Sequence, residues 1–243
     1  MPELKLAEGL RMHIQAFVAD LQQLYQDDLV AVSLYGSAAS GELSPAHSNV
    51  NILVVLRNTD IATLEKARKI TLGLTKRRIE PLFLSQPAML DSCDVFPIEF
   101  MDMRENHICL HGPDVLAELK IDLKHLRFQC EQELRSKSIL LKQQYLRIDS
   151  RDRKILAKLL FQSLTSVGHL LRNLLRLKGQ GPVYAKEEVF RQAAADFKVD
   201  SGVFLKILAA KQSAAPLKAD VLRALFADYV RELDKIIESV DKL

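Results

Sequence analysis

Residues 34–42 read Leu-Tyr-Gly-Ser-Ala-Ala-Ser-Gly-Glu, and residues 48–56 read Ser-Asn-Val-Asn-Ile-Leu-Val-Val-Leu. The first stretch closes the apolar run Leu29–Tyr35 (LVAVSLY), whose β-branched and apolar content ended by Gly36 predicts a strand. A Gly-Ser pair between that strand and a short helix presents backbone N–H groups and a hydroxyl to an anion such as a triphosphate. The second stretch predicts another strand over Val50–Leu56. Asn49 and Asn51 stand two residues apart at its start, so their side chains point to the same face.

Outward from this pair of strands, elements alternate in type. Leu6, Leu10, Ile14, Phe17, Leu21 and Leu24 recur at steps of three and four and predict an amphipathic helix before the first strand. The Ser-, Gly- and Pro-rich segment between the strands reads as a short helix or turn with a loop. Thr59 or Asp60 caps a further helix running to Thr75. Ile79–Leu84, Val95–Met103 and His107–Leu110 complete the strand candidates.

Beyond residue 115 the pattern changes. Leu123–Tyr145, Ile155–Leu177, Glu187–Phe197, Gly202–Ala210 and Leu217–Val240 are helical by period and composition, with breaks at residues 179–182 and at Ala215-Pro216. The charge shifts at the same place: residues 1–115 carry 10 Lys+Arg against 15 Asp+Glu, net −5, and residues 116–243 carry 24 against 16, net +8. Composition and punctuation at His111-Gly112-Pro113-Asp114 thus predict an α/β domain over 1–115 and an all-α bundle over 116–243.

The strand–Gly-Ser–gap–strand arrangement resembles the nucleotidyltransferase superfamily, which includes polymerase-beta-like and kanamycin nucleotidyltransferase-like proteins. The gap from Ala38 to Ser48 is eleven residues, and the tail ILVVL suits the family's second strand. The resemblance covers residues 29–104, or the whole chain if the helices are the bundle often fused behind such domains. It implies an α/β (α+β) domain with a mixed sheet, Gly36 and Ser37 on the phosphates of a nucleoside triphosphate such as ATP, and Mg²⁺ held by an Asp-x-Asp pair and a third acid from a later strand.

In this chain the Asp-x-Asp positions are Asn49 and Asn51, which removes two negative charges from the expected metal site. Mg²⁺ prefers carboxylates and phosphates, so the substitution weakens or abolishes metal-assisted transfer. Ser40 replaces a basic residue that is common in this loop. Glu99, sharing a strand face with Met101 and Met103, is the expected third acid, catalytic and metal-directed together with Asn49 and Asn51. Asp102 has the opposite parity. Glu42 and Asp60 could serve in a rearranged metal set.

Other candidates stand beside these. His107, Cys109 and His111 alternate as zinc ligands would on a strand, or are ordinary packing. Gln162, Ser166, His169, Asn173 and Arg176 form a polar stripe that lines an acceptor cleft or is a solvated or inter-helix face. Arg147, Arg151, Arg153, Lys154 and Lys158 form a basic cluster that attracts a phosphate-rich ligand or an acidic partner, or answers the acidic first domain. The spacing Arg104 to His111 is a loose match to a ribonuclease motif. Little aromatic interleaving accompanies the basic residues, so sequence-specific nucleic-acid binding is not indicated.

Apolar runs fall far short of the ~20 residues of a membrane span. The first ten residues lack the apolar core of a secretory signal, and Cys93, Cys109 and Cys130 have neither even number nor CxxC spacing; together these features predict a cytoplasmic setting. Three functional readings follow: a nucleotide-binding protein in which transfer is weak or lost, an active nucleotidyltransferase acting on a small molecule or protein, and a structural module that binds a protein partner or a second copy of itself.

Overall fold

The computed structural model describes residues 6–40, 49–149, 152–181, 183, 185–213 and 217–243. The chain divides into two compact units, residues 1–122 and 123–243.

The first unit is built on a four-stranded sheet. Its elements are α1 (Glu8–Tyr25), β1 (Leu29–Tyr35), α2 (Ser37–Ser40), β2 (Val50–Leu56), α3 (Ile61–Leu72), β3 (Ile79–Ser85), α4 (Gln86–Asp91), α5 (Pro97–Glu105) and β4 (His107–His111). Strand order is β3-β2-β1-β4. β1 runs antiparallel to both β2 and β4, whereas β2 and β3 are parallel and α3 makes the crossover between them. The sheet is therefore mixed.

Alternation along the strands divides the core into two layers. Val32, Leu34, Ile52, Val54 and Leu56 face α1, whose buried Ile14, Phe17, Val18 and Leu21 follow the helical period. Tyr25 at the end of that helix donates its hydroxyl to Thr63 O at 3.0 Å, tying α1 to α3. Ala31, Leu53 and Val55 face the other way and pack with Met89, Phe100, Met103, Val115, Leu116 and Leu119. Asp60 caps α3, accepting the Thr63 N–H, as its position before the helix predicts.

The second unit holds α6 (Leu123–Leu146), α7 (Arg153–Leu177), α8 (Lys186–Phe197), α9 (Ser201–Gln212) and α10 (Ala219–Val240). Leu156, Leu160, Leu164, Val167, Leu171 and Leu174 form the buried stripe of α7. At the centre Phe190 and Phe204 stack at 5.5 Å, and the fully buried Tyr229 meets Phe204 edge-on at 5.9 Å. The Tyr229 hydroxyl pairs with Ser163 Oγ at 2.9 Å, which satisfies a polar group inside an apolar core. Asp152 and Asp200 cap α7 and α9. Glu232, 4% exposed, accepts the Asp200 N–H at 3.0 Å and pairs with Lys235 at 2.8 Å. Among the described residues, no helix is long and apolar enough to cross a membrane.

Candidate functional site

The site forms where β1 ends. Gly36 has φ +74°, a left-handed conformation that glycine adopts without penalty, and this lets the chain leave the strand and enter α2 directly. Its N–H donates to Asn106 O at 2.9 Å, and its carbonyl accepts the Ala39 and Ser40 N–H groups at 2.9 and 3.1 Å. Ala38 is buried and anchors the short helix, while Ser37 is partly buried at its first position.

Strand register then places a row of polar side chains across the sheet. Asn51 stands opposite Tyr35 on β1 and opposite Glu80 on β3, and Tyr35 stands opposite His107 on β4. Directly paired residues share a face, so Glu80, Asn51, Tyr35 and His107 line one end of the face that also carries Leu53 and Val55. Asn49, just ahead of β2, donates its Nδ2–H to Glu80 Oε1 at 2.6 Å. The Val50 N–H donates to Arg78 O at 2.7 Å, which fixes the end of β2 against the turn before β3. Gly36 abuts this row: a Cβ there would lie 3.4 Å from Asn51 Nδ2. Burial pushes the Tyr35 phenol above its ordinary range, and the nearby Glu80 charge pushes it in the same direction. His107 at the far end has Nδ1 at 3.0 Å from Arg104 O and Nε2 at 2.7 Å from Asp114 Oδ1.

This arrangement bears on the metal. Three carboxylates gathered in one place repel each other and need a cation; two amides beside one carboxylate do not. Here Asn49 turns its NH₂ to the acid, so one lone pair of Glu80 is already engaged by a hydrogen-bond donor. That donor set does not fit a Mg²⁺ site built from carboxylates.

Glu99 does not take the place expected for it. Val95–Met103 is not a strand: Pro97 at the first helical position fixes φ, and α5 runs from there to Glu105. Phe100 and Met103 carry α5 onto the sheet's second layer, while Glu99 is exposed in its first turn. On a helix Glu99 and Asp102, three apart, share a side that a strand would have split. The carboxylate hydrogen-bonded to Asn49 is Glu80, which the sequence reading passed over. Its signal was an acid alternating with Leu82 and Leu84 in an otherwise apolar strand.

The remaining candidates separate. Glu42 lies outside the described residues, and Asp60 is occupied as a helix cap. His107 and Cys109 oppose Tyr35 and Ser33, but the β1–β4 register shifts before His111, whose Nδ1 lies 2.8 Å from Gln22 of α1. That irregularity breaks the alternation a strand-borne zinc set requires. Among the described residues no group of three or more His, Cys, Asp or Glu is placed to hold a metal ion. Arg104 donates to Leu119 O at 3.0 Å and is not paired with His111.

In the helical unit the polar stripe of α7 divides. Gln162, Ser166 and His169 border a cavity, whereas Asn173 and Arg176 are buried and bonded to each other. Arg153 donates to Leu217 O at 3.2 Å; Arg151 lies outside the described residues.

No protein-family model matches the chain, and no curated protein matches it in sequence. A solved structure does resemble it: spectinomycin adenyltransferase AAD(9) from Enterococcus faecialis, crystallised with ATP and spectinomycin, superposes with a TM-score of 0.57 over 94% of this chain and 99% of that one, at 13% identity. At that identity the likeness shows the fold, a nucleotidyltransferase-like α/β unit with a mixed sheet followed by a helical bundle.

Proposed function

We propose that this chain binds a nucleoside triphosphate at the Gly36–Ser37 end of its sheet and that nucleotidyl transfer is weak or lost. The observation that carries the reading is the hydrogen bond from Asn49 to Glu80. It leaves one carboxylate, already accepting a donor, where the resemblance calls for an acidic metal set. Gly36 and Ser37 are assigned to the phosphates, and Asn49 and Asn51 to the former metal positions. Glu80, not Glu99, takes the role of third acid, because it shares the row with Asn51. The likeness in fold to a structure crystallised with ATP supports the nucleotide as ligand. The two domains are taken to divide after residue 122 rather than 115, since Leu116 and Leu119 pack with the first unit's sheet, and the setting is taken as cytoplasmic.

A second reading, an active transferase moving a nucleoside monophosphate onto a small molecule or a protein hydroxyl, is favoured by the same Glu80, a carboxylate retained beside the amide pair. The test that separates them compares pyrophosphate release from ATP by the wild type and by Asn49→Asp/Asn51→Asp, with Mg²⁺ or Mn²⁺. Release that emerges in the double variant and not in the wild type supports the proposal. Metal-dependent release by the wild type overturns it in favour of the active enzyme.

A further inference from the structure

A cavity of about 940 Å³ in the helical unit is lined by α7, α8 and α9. Its volume is at the upper end of small-molecule sites, far larger than a lone inorganic ion needs. Along α7 it extends from Lys154 to Arg172, which spans about 27 Å at ~1.5 Å per residue. The cavity is a long trough rather than a round pocket.

Its floor is hydrocarbon and aromatic: Phe161, Leu164, Val189, Phe190 and Leu208. Gly168 shapes that floor, since a Cβ there would lie 3.2 Å from Phe190 Cζ; its absence lets the ring close against α7. Around the apolar trough stand five basic side chains from three helices: Lys154, Lys158 and Arg172 of α7, Lys186 at the start of α8, and Lys211 in the last turn of α9. No described acidic side chain lines it.

The four lysines are not arranged as a structural ion-pair network. Among the described residues none of the four lysines is in an ion pair, and Lys211 instead donates to Thr165 Oγ1 at 2.6 Å. Burial holds the Lys211 ammonium below its ordinary range, and repulsion by Lys186 lowers it further. Two cations thus stand close together at an apolar wall that no described acidic side chain lines, an arrangement that an anion relieves and a cation aggravates.

We propose that this trough binds an elongated amphipathic anion, a hydrocarbon body carrying a phosphate or carboxylate head. The body lies along Phe161, Leu164 and Phe190, and the head pairs with the surrounding lysines. The inference is argued from residues of the helical unit alone and does not rest on the proposed nucleotide site.

The chain contains no tryptophan. Gln162→Trp, on the exposed wall of the trough, therefore supplies a single fluorescent reporter in the full-length protein. Dodecyl phosphate, dodecanoate and dodecyltrimethylammonium are titrated below their micellar concentrations, with binding to the unlabelled wild type followed by calorimetry. The expected result is one-to-one binding of at least one of the two anions with a blue shift of the emission, the two anionic arms distinguishing phosphate from carboxylate. Binding should weaken by about tenfold or more in Lys158→Glu/Lys211→Glu. Lys186→Glu is a second, independent charge reversal should that double variant melt early. Equal binding of the cation, unchanged affinity after charge reversal in a folded variant, or binding of neither anion would overturn the proposal. Displacement of dodecyl phosphate by ATP at equal or lower concentration would overturn it as well.

Discussion

Asn49 donates its side-chain amide to Glu80 at 2.6 Å, across the junction of two parallel strands. This bond gives the Glu80 carboxylate a neutral donor as its partner. Replacing the donor by an acid in Asn49→Asp sets two carboxylates within hydrogen-bonding distance, and their repulsion raises the folded-state pKa of the pair. A raised carboxylate pKa contributes stability at low pH that is lost as pH rises through the folded value. The variant should match the wild type near pH 4 and melt lower at pH 7, by about 0.5–1 kcal/mol for so exposed a pair. Added Mg²⁺ should recover part of the difference. Melting curves against pH, with and without Mg²⁺, check this.

Two glycines with positive φ differ in what surrounds them. A Cβ on Gly112, φ +76°, would stand 2.1 Å from the Val30 carbonyl oxygen, so Gly112→Ala combines backbone strain with a collision against β1. A Cβ on Gly36 meets only Asn51 Nδ2 at 3.4 Å. Urea unfolding should show a loss of about 3 kcal/mol or more for Gly112→Ala and about 1–2 kcal/mol for Gly36→Ala. Equal losses would mean that conformation alone decides both.

The turn after β4 carries a pH-sensitive contact. Burial works to raise the Asp114 carboxyl, but the Ala117 N–H, the His107 ring and the Leu116 N–H outweigh it and hold the group below its usual range. A depressed carboxylate stabilises the fold above the unfolded pKa, near ~4, and that stability is lost as pH falls through the lower folded value. Asp114→Asn should therefore melt below the wild type at pH 7, with the gap closing on acidification below pH 4. A gap that stays constant with pH would show that the charge is not what matters.

In the bundle, burial pushes the Tyr229 hydroxyl far above its ordinary range, and Ser163 is its partner. Tyr229→Phe keeps the ring contacts with Phe204 but strands the serine hydroxyl. A loss of about 1–2 kcal/mol in chemical denaturation is expected, with the cooperativity of unfolding unchanged.

What the sequence disclosed and what it concealed have separate physical origins. The helices of the second unit, α1 and the strands β1 and β2 rest on local periodicity, and each stands where the pattern of its own residues places it. Val95–Met103 reads as a strand because Val, Phe and Ile favour that geometry; Pro97 at the first position of α5 and burial of Phe100 and Met103 prevail over propensity. Glu80 was hidden for a different reason. Its place beside Asn51 comes from a parallel register joining residues 29 apart, and nothing local to Ile79–Leu84 encodes that pairing. His111 illustrates the converse, since alternation promised a shared face with His107 and an irregularity in the β4 register removed it.

The proposed function needs a triphosphate site that survives at Gly36–Ser37 without the metal site. Isothermal titration calorimetry of the wild-type protein with ATP, GTP, CTP and UTP, each in Mg²⁺ and in EDTA, tests it most directly. The expected result is one-to-one binding of a nucleoside triphosphate with a Kd that moves by less than about threefold on removing the metal, under ~1 kcal/mol. Absence of binding by any of the four nucleotides, or binding that is lost in EDTA, would contradict it.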